Sequence, residues 1–306
     1  MTRYILKRIL LALPALWLVL TLVFLMIHIV PGDPVEQMLG EGAAPGQAAQ
    51  LRHALGLDRP WHKQYARYFW LLAHGDLGQS FKFQAPVGRV IFERYPATLQ
   101  LAFLALVVCA AIAIPSGMLA AYRRGQSPDR AVGLFTLFGL AFPNFALGPV
   151  LILVFSIELG LLPVSGRGGP LNYLLPAATL GAALAAILTR MVRGAMLEEL
   201  SSDYVRTARA KGLSTRAVLL RHAFRNALIP IITILGLQFG TLLAGTIVTE
   251  TIFSWPGIGR LTVQAISARD YPLLQGCILV IVISYVAVNL LTDLLYSVID
   301  PRVRLS

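Results

Sequence analysis

Uncharged, mainly apolar stretches recur along the chain, and its charged residues lie in the segments between them. Six stretches without Asp, Glu, Lys or Arg are each 22 to 28 residues long. They cover residues 9–32, 95–122, 131–157, 168–189, 226–249 and 271–292. An apolar run of about 18 or more residues with few charges is typical of a helix that crosses a membrane. The pattern therefore predicts a polytopic membrane protein.

The expected fold is all-α, with six transmembrane helices. We place these helices at residues 9–30, 97–122, 131–157, 174–191, 227–248 and 273–298. The apolar core of a cleaved signal peptide is only about 7–15 residues long and is followed by small residues. The first stretch is longer than that and has no such cleavage site before Pro31. We therefore expect it to be a membrane span rather than a signal peptide.

Composition excludes a soluble globular domain. Hydrophobic residues make up 57% of the chain and charged residues only 13%, with a mean hydropathy of +0.70. Soluble domains contain about 25% charged residues.

The net charge of +11 indicates an orientation rather than binding to nucleic acid. If both termini lie on one side, that side holds sixteen Lys and Arg residues, and eight of them lie between Arg190 and Arg225. The short loops of the other side hold only Arg167, Arg260 and Arg269. Short cytoplasmic loops are rich in Lys and Arg. We therefore expect both termini to be cytoplasmic, with the basic surface near anionic membrane lipid.

Two hydrophilic segments divide the chain into three parts. These are 1–30 with the first span, an external segment at 31–96, and a five-helix core at 97–306 that includes a cytosolic loop at 192–226. In the external segment we expect a turn at Pro31-Gly32-Asp33-Pro34 and short helices at 47–57 and 61–73. The second of these has helically spaced aromatic residues, which fits an interfacial helix and also a docking surface for an extracytoplasmic protein.

The internal loop contains a short amphipathic helix with clear end signals. Ser201, Ser202 or Asp203 can cap a helix that starts near Tyr204, and Gly212 ends it. The residues of this helix and its end that we single out as a candidate contact site are Asp203, Tyr204, Arg206, Thr207, Ala208, Arg209, Lys211 and Gly212. Such a helix lies either on the inner leaflet or in a groove of a partner, and its physical chemistry alone favours neither.

These residues resemble a known family. YVRTARAKG at 204–212, followed by RNALIP at 225–230, is similar to the cytoplasmic coupling loop of permease subunits of binding-protein-dependent ABC importers, in the dipeptide, oligopeptide and nickel branch. Other segments that are similar to this branch are RYILKR at 3–8, PGDP at 31–34, TETIFSWPGIGR at 249–260, RDYP at 269–272, and the ending with Asn289, Asp293 and Asp300-Pro301-Arg302. One residue departs from the general importer pattern, because Arg206 stands where that pattern has a glutamate.

The resemblance implies the type I importer fold in the bacterial inner membrane, with ATP-driven import of dipeptides or oligopeptides by alternating access. The implied partners are a second permease, two ATP-binding subunits and an extracytoplasmic substrate-binding protein. This chain would be the first permease, which has the long external segment. Nickel in chelated form and glutathione remain alternative substrates. Arg206 and Arg209 would face acidic residues of the ATPase.

We expect no catalysis and no cofactor in this chain, so ATP and Mg²⁺ would be bound by the partner subunits. The sequence has no G-x-x-x-x-G-K-[ST], H-E-x-x-H or G-x-S-x-G run, and its five histidines and two cysteines have no metal-ligand spacing. A membrane-embedded enzyme or an autonomous channel is the alternative from another class. Either would need catalytic or filter residues inside the spans, where the sequence has almost none.

Three polar residues are predicted to line a transport path: Asn144, Gln238 and Glu250. Asn144 lies at a proline bend in the third span, for which a packing kink is the alternative. Glu250 closes the fifth span, and the alternative for it is an acid that caps a helix or loop at the membrane edge. Gly236, Gly240 and Ala244 recur at four-residue spacing, which predicts a close helix or subunit interface.

Overall fold

The computed structural model describes residues 2–29 and 46–299. The turn predicted at 31–34 and the ending at 300–302 lie outside the described residues. Within the described residues the regular secondary structure is helical, and an isolated antiparallel bridge joins Gln79 and Pro86. The predicted all-α fold is therefore confirmed.

We number the helices in chain order. They are α1 (Thr2–Ile29), α2 (Gln47–Leu55), α3 (Trp61–Ala73), α4 (Val87–Tyr122), α5 (Ser127–Ala141), α6 (Asn144–Leu151), α7 (Leu174–Ser201), α8 (Asp203–Ala210), α9 (Thr215–Gly245), α10 (Ile247–Ile252), α11 (Ile258–Ser267) and α12 (Tyr271–Ile299). A π-helical turn extends α6 over Ile152–Glu158, a second lies within α9 at Val218–Ala223, and a 3₁₀ turn at Pro170–Tyr173 leads into α7.

Four helices of the described residues are long and apolar enough to cross a membrane: α4, α7 with its preceding turn, α9 and α12. A fifth span results if α5 and α6 count as one, although they are bent by 107°. The first predicted span falls on α1, whose apolar part includes Leu13–Leu25. The six apolar stretches thus all fall on helices, while the number of membrane crossings stays a prediction.

Five of the helices are longer than the uncharged stretches that predict them, and α4 and α7 are two examples. α4 begins at Val87 rather than at residue 97, and α7 continues to Ser201 rather than ending at residue 191. In the added part of α4, Val87 and Ile91 are buried while Arg89 and Glu93 are exposed. A break in the uncharged pattern marks where a helix leaves the membrane, and the helix itself continues as an amphipathic segment.

The chain forms two compact units. Unit I comprises residues 98–255 and 284–299 of the described chain. Its core is formed by α4, α7 and α9, with Cys109, Leu188, Val192 and Ile231 fully or almost fully buried. A side chain at Gly181 would lie 2.6 Å from the Ala105 carbonyl oxygen, so this glycine lets the backbones of α4 and α7 approach closely.

Unit II comprises residues 2–97 and 256–283, without the undescribed residues 30–45. In it, the buried carboxylate of Asp270 accepts hydrogen bonds from Ser80 Oγ at 2.5 Å and from the Lys82 amide at 3.0 Å. Asp270 also caps α12 by accepting from the Leu273 amide at 3.2 Å. One carboxylate therefore fixes both the loop before α4 and the start of α12.

Candidate functional site

The short helix α8 lies between two long helices, as the sequence predicts. It covers Asp203–Ala210, with Ser202 at the N-cap position in an extended conformation. The Ser202 side chain does not cap the helix, because its hydroxyl donates to the Glu198 carbonyl at 3.3 Å. The Ser201 hydroxyl donates to the same carbonyl at 2.7 Å. Both serines therefore close the end of α7, and Asp203 supplies the negative charge that favours the first turn of α8.

One face of α8 is packed against the rest of unit I. Val205 is fully buried and Ala208 is 6% exposed, and both belong to a small apolar cluster with Val218 of α9. Leu200 of α7 packs against this cluster. Burying a valine side chain contributes about 1.5–3 kcal/mol. That is enough to hold a two-turn helix in place but not to fold it alone.

Tyr204 connects α8 to both neighbouring helices. Its hydroxyl donates to the Glu199 carboxylate at the end of α7 and also hydrogen-bonds the Asn226 side chain of α9. Partial burial, with a smaller effect of Glu199, raises the pKa of the Tyr204 hydroxyl above its usual value. If α8 is displaced, it must therefore either carry the contacting parts of α7 and α9 with it or break these hydrogen bonds.

The opposite face of α8 is basic and exposed, with Arg206, Arg209 and Lys211. Arg206 lies 3.5 Å from Asp203, but their side chains are 79% and 95% exposed, and such surface pairs contribute little. Most of the positive charge of this face is thus open to a partner.

Gly212 terminates α8 at its C-terminal end. Its φ of +79° is a left-handed conformation that favours glycine, and its amide donates to the Arg209 carbonyl at 2.9 Å. Ser214 then caps α9 by accepting from the Ala217 amide at 3.4 Å. Only Gly212 and Leu213 separate the basic face of α8 from Ser214, the first capping contact of α9.

Two of the three small residues predicted to form a close interface lie against α12. A side chain at Gly236 would come within 2.3 Å of Thr292 Oγ1, and one at Gly240 within 3.3 Å of Asn289 Oδ1. Ala244 is exposed. The seam therefore packs helices of the same chain at its first two positions, and its third remains accessible.

The residues predicted to line a path all lie in unit I, on the three helices α6, α9 and α10. Gln238 is 6% exposed, donates to the Leu184 carbonyl at 3.3 Å and accepts from Cys109 Sγ at 3.4 Å. Asn144 begins α6 directly after the bend, and its side chain lies outside the described residues. Their position along a path stays a prediction.

Glu250 lies in the short helix α10 and is fully buried. One of its carboxylate oxygens accepts from Thr98 Oγ1 at 2.7 Å and from Thr246 Oγ1 at 3.1 Å. The carboxylate therefore connects α10 to α4, a contact that sequence spacing does not reveal, and its predicted path role is likewise untested.

Sequence analysis missed Glu199 and Asn226 as members of the site. Glu199 is not among the residues predicted for this site, and Asn226 enters only through the RNALIP resemblance. The signal for both is weak, because a tyrosine gives no indication of which polar side chain its hydroxyl meets.

Comparison with known proteins gives matches along the whole chain. The family model described as the binding-protein-dependent transport system inner membrane component matches residues 113–305, and that of the N-terminal region of such a membrane component matches residues 1–102. The dipeptide transport system permease protein DppB of Escherichia coli strain K12 is 44% identical over 337 aligned positions, which cover 99% of each chain. The glutathione transport system permease protein GsiC of Salmonella paratyphi A is 42% identical over 304 positions, with the same coverage.

Among solved structures, a chain of the MetNI methionine ABC transporter in an inward-facing conformation is similar to this fold. The TM-score is 0.60 with 19% sequence identity, and the match covers 69% of this chain and 96% of that one. A second crystal form of the same transporter gives a TM-score of 0.57 at 16% identity. At this identity the likeness concerns the fold.

Proposed function

We propose, from the premise that this chain belongs to the family of binding-protein-dependent transport system inner membrane components, that it imports short peptides. The chain is a multi-pass inner-membrane protein with the type I ABC importer fold. The observation that carries the substrate class is the 44% identity to a dipeptide permease over 99% of both chains.

Glutathione is the second candidate substrate, and the alignment lengths favour it. The alignment with the dipeptide permease is longer than the 306 residues of this chain, so that relative has about thirty residues without a counterpart here. The alignment with the glutathione permease has 304 positions and needs no such insertion. Since glutathione is itself a tripeptide, both candidates belong to one chemical class.

The partners in this proposal are a second permease, two ATP-binding subunits and an extracytoplasmic substrate-binding protein. ATP and Mg²⁺ are bound by the ATP-binding subunits, so hydrolysis takes place outside this chain. With its long segment between α1 and α4, the chain takes the place of the first permease. Both termini and α8 lie in the cytoplasm, in agreement with the distribution of Lys and Arg.

We assign α8 as the element that receives the movement of the ATPase. Its basic face, with Arg206, Arg209 and Lys211, contacts acidic residues of an ATP-binding subunit. Val205 and Tyr204 hold the other face on α7 and α9. When nucleotide binding moves the ATPase, α8 moves with it, and α9 is displaced through the short connection at 211–214. Asn144, Gln238 and Glu250 are the candidates for residues that line the path between the two permeases.

Charge reversal on α8 tests this assignment. We expect Arg209→Glu combined with Lys211→Glu to abolish co-purification of the ATP-binding subunit and peptide uptake. The matched control is Arg123→Glu with Arg124→Glu, two exposed arginines of the loop between α4 and α5 that carry the same charge change. Unchanged ATPase binding and uptake in the α8 variant would overturn the coupling role.

The substrate is tested on the cognate substrate-binding protein. Its thermal unfolding is followed with dipeptides, reduced glutathione and chelated nickel. A shift with dipeptides alone supports the first candidate and a shift with glutathione alone supports the second. A shift only with nickel would overturn the peptide class.

A further inference from the structure

A groove of about 450 Å³ lies between α5 and α7 in unit I. Its lining includes Asp129, Arg130, Leu137, Thr189, Arg190 and Arg193. On α7, the groove lies toward the end of the helix that leads into α8. It is therefore at the cytoplasmic boundary of the membrane in the proposed orientation.

The charge of the groove is positive and only partly compensated. Arg193 donates to both carboxylate oxygens of Asp129, at 2.6 and 2.9 Å, and the Gly125 amide donates to the second oxygen at 2.9 Å. Asp129 is thus neutralised by Arg193. Arg130 and Arg190 are exposed, and their guanidinium groups form no ion pair with a described residue. Two positive charges are left for an anion.

A buried hydroxyl in the same groove also lacks a partner. Thr189 is fully buried, and its Oγ1 has no hydrogen-bond partner among the described residues. A buried hydroxyl without a partner is unfavourable, so this group indicates a ligand with an acceptor atom. It lies on the turn of α7 that also carries Arg190 and Arg193.

The apolar wall of the groove continues deeper along α5. Leu137 and Leu140 follow Gly133 and Thr136 along this helix, and they are 63% and 44% exposed. The order along the helices is therefore charged residues first, then a hydroxyl, then apolar side chains. A phospholipid presents the same order, with its phosphate, ester carbonyls and acyl chains.

We propose that this groove binds an anionic phospholipid of the cytoplasmic leaflet. Its phosphate lies between Arg130 and Arg190, the Thr189 hydroxyl donates to an ester or phosphate oxygen, and an acyl chain follows Leu137 and Leu140. A free phosphate would leave the apolar wall uncovered. The inference does not depend on the transported substrate.

The test uses the full chain, purified with its partner subunits in detergent and stripped of lipid. Binding of dioleoylphosphatidylglycerol and of dioleoylphosphatidylcholine is measured by native mass spectrometry, with glycerol phosphate as a competitor. We expect phosphatidylglycerol to bind preferentially, and Arg190→Gln and Arg130→Gln each to weaken it about tenfold, as for the loss of a charge-assisted contact. The control Arg221→Gln, an exposed arginine of α9 outside the groove, keeps wild-type binding.

Thr189→Val separates the ligand contact from a loss of folding. We expect this variant to unfold at the same or a higher temperature without lipid, because an unpartnered hydroxyl is removed, and to bind phosphatidylglycerol several-fold more weakly. Equal binding of the two lipids would overturn the proposal, as would wild-type binding by both arginine variants. Full displacement of the lipid by glycerol phosphate would show a site for a free anion, which also contradicts it.

Discussion

Single glycines decide how closely the helices of unit I approach. A side chain at Gly236 would lie 2.3 Å from Thr292 Oγ1 and 2.5 Å from its Cγ2, distances at which atoms overlap. Thr292 is 5% exposed and its hydroxyl is held by the Val288 carbonyl at 2.8 Å, so it cannot turn away freely. The contact between α9 and α12 therefore depends on the absence of a side chain at this position.

We predict that Gly236→Ala destabilises the protein by about 1–3 kcal/mol, because one added methyl group overpacks this contact. Thermal unfolding of the purified complex in detergent measures the effect. Gly245→Ala, on the same helix with no atom within 4 Å of the added carbon, is the matched control and should leave the unfolding temperature almost unchanged. If the two variants unfold at the same temperature, the close approach is not what stabilises this pair.

At the scale of elements, the ends of α8 can be predicted from residues close to it in the sequence, whereas its contacts cannot. Its predicted start near Tyr204 lies one residue after the observed start at Asp203, and Gly212, which is predicted to end it, lies two residues after its last residue, Ala210. The reason is that its acidic start, amphipathic spacing and terminal glycine are all within ten residues of one another. The contacts of Tyr204 with Glu199 and Asn226 depend on how two helices cross, and no local pattern records that.

The bend between α5 and α6 is predicted by the sequence only in part. Pro143 predicts an interruption, because it restricts the preceding residue to an extended conformation, and Phe142 has a ψ of 126°. Pro143 is extended as well, with a ψ of 126°, and the two helices meet at an angle of 107°. The sequence therefore predicts where the helix breaks, whereas no pattern in it gives the angle.

The docking of α8 can be tested through its buried face. We predict that Val205→Asn destabilises the docked helix by about 2 kcal/mol, since a fully buried apolar side chain is lost and a polar one is left without partners. Amide hydrogen exchange at 203–210 should then be roughly thirtyfold faster, if exchange proceeds through local opening. Ala210→Asn, at an exposed position of the same helix, should exchange as the wild type does. Equal protection in both variants would mean that Val205 does not hold the helix.

At the scale of the whole molecule, the distribution of charge and the order of the helices indicate the same orientation of the chain in the membrane. The excess of Lys and Arg lies in the segments that include α8 and the groove between α5 and α7, at one end of α7. Loop 74–86, where Asp270 fixes Ser80 and Lys82, precedes α4 on the side expected to be external. Importer function requires that α8 and the groove between α5 and α7 face the cytoplasm. The proposed direction of transport therefore depends on this orientation in the membrane.

Site-specific labelling with a membrane-impermeant maleimide decides this orientation. We predict that Lys82→Cys reacts in intact spheroplasts, because residue 82 is exposed in the loop before α4, and that Ala210→Cys reacts only after permeabilisation. The native thiols of Cys109 and Cys277 are both buried, so the unmodified chain should give little background. The reverse labelling pattern would place α8 outside the cell, where no ATP-binding subunit could reach it. That result would contradict the importer orientation while leaving the helical fold intact.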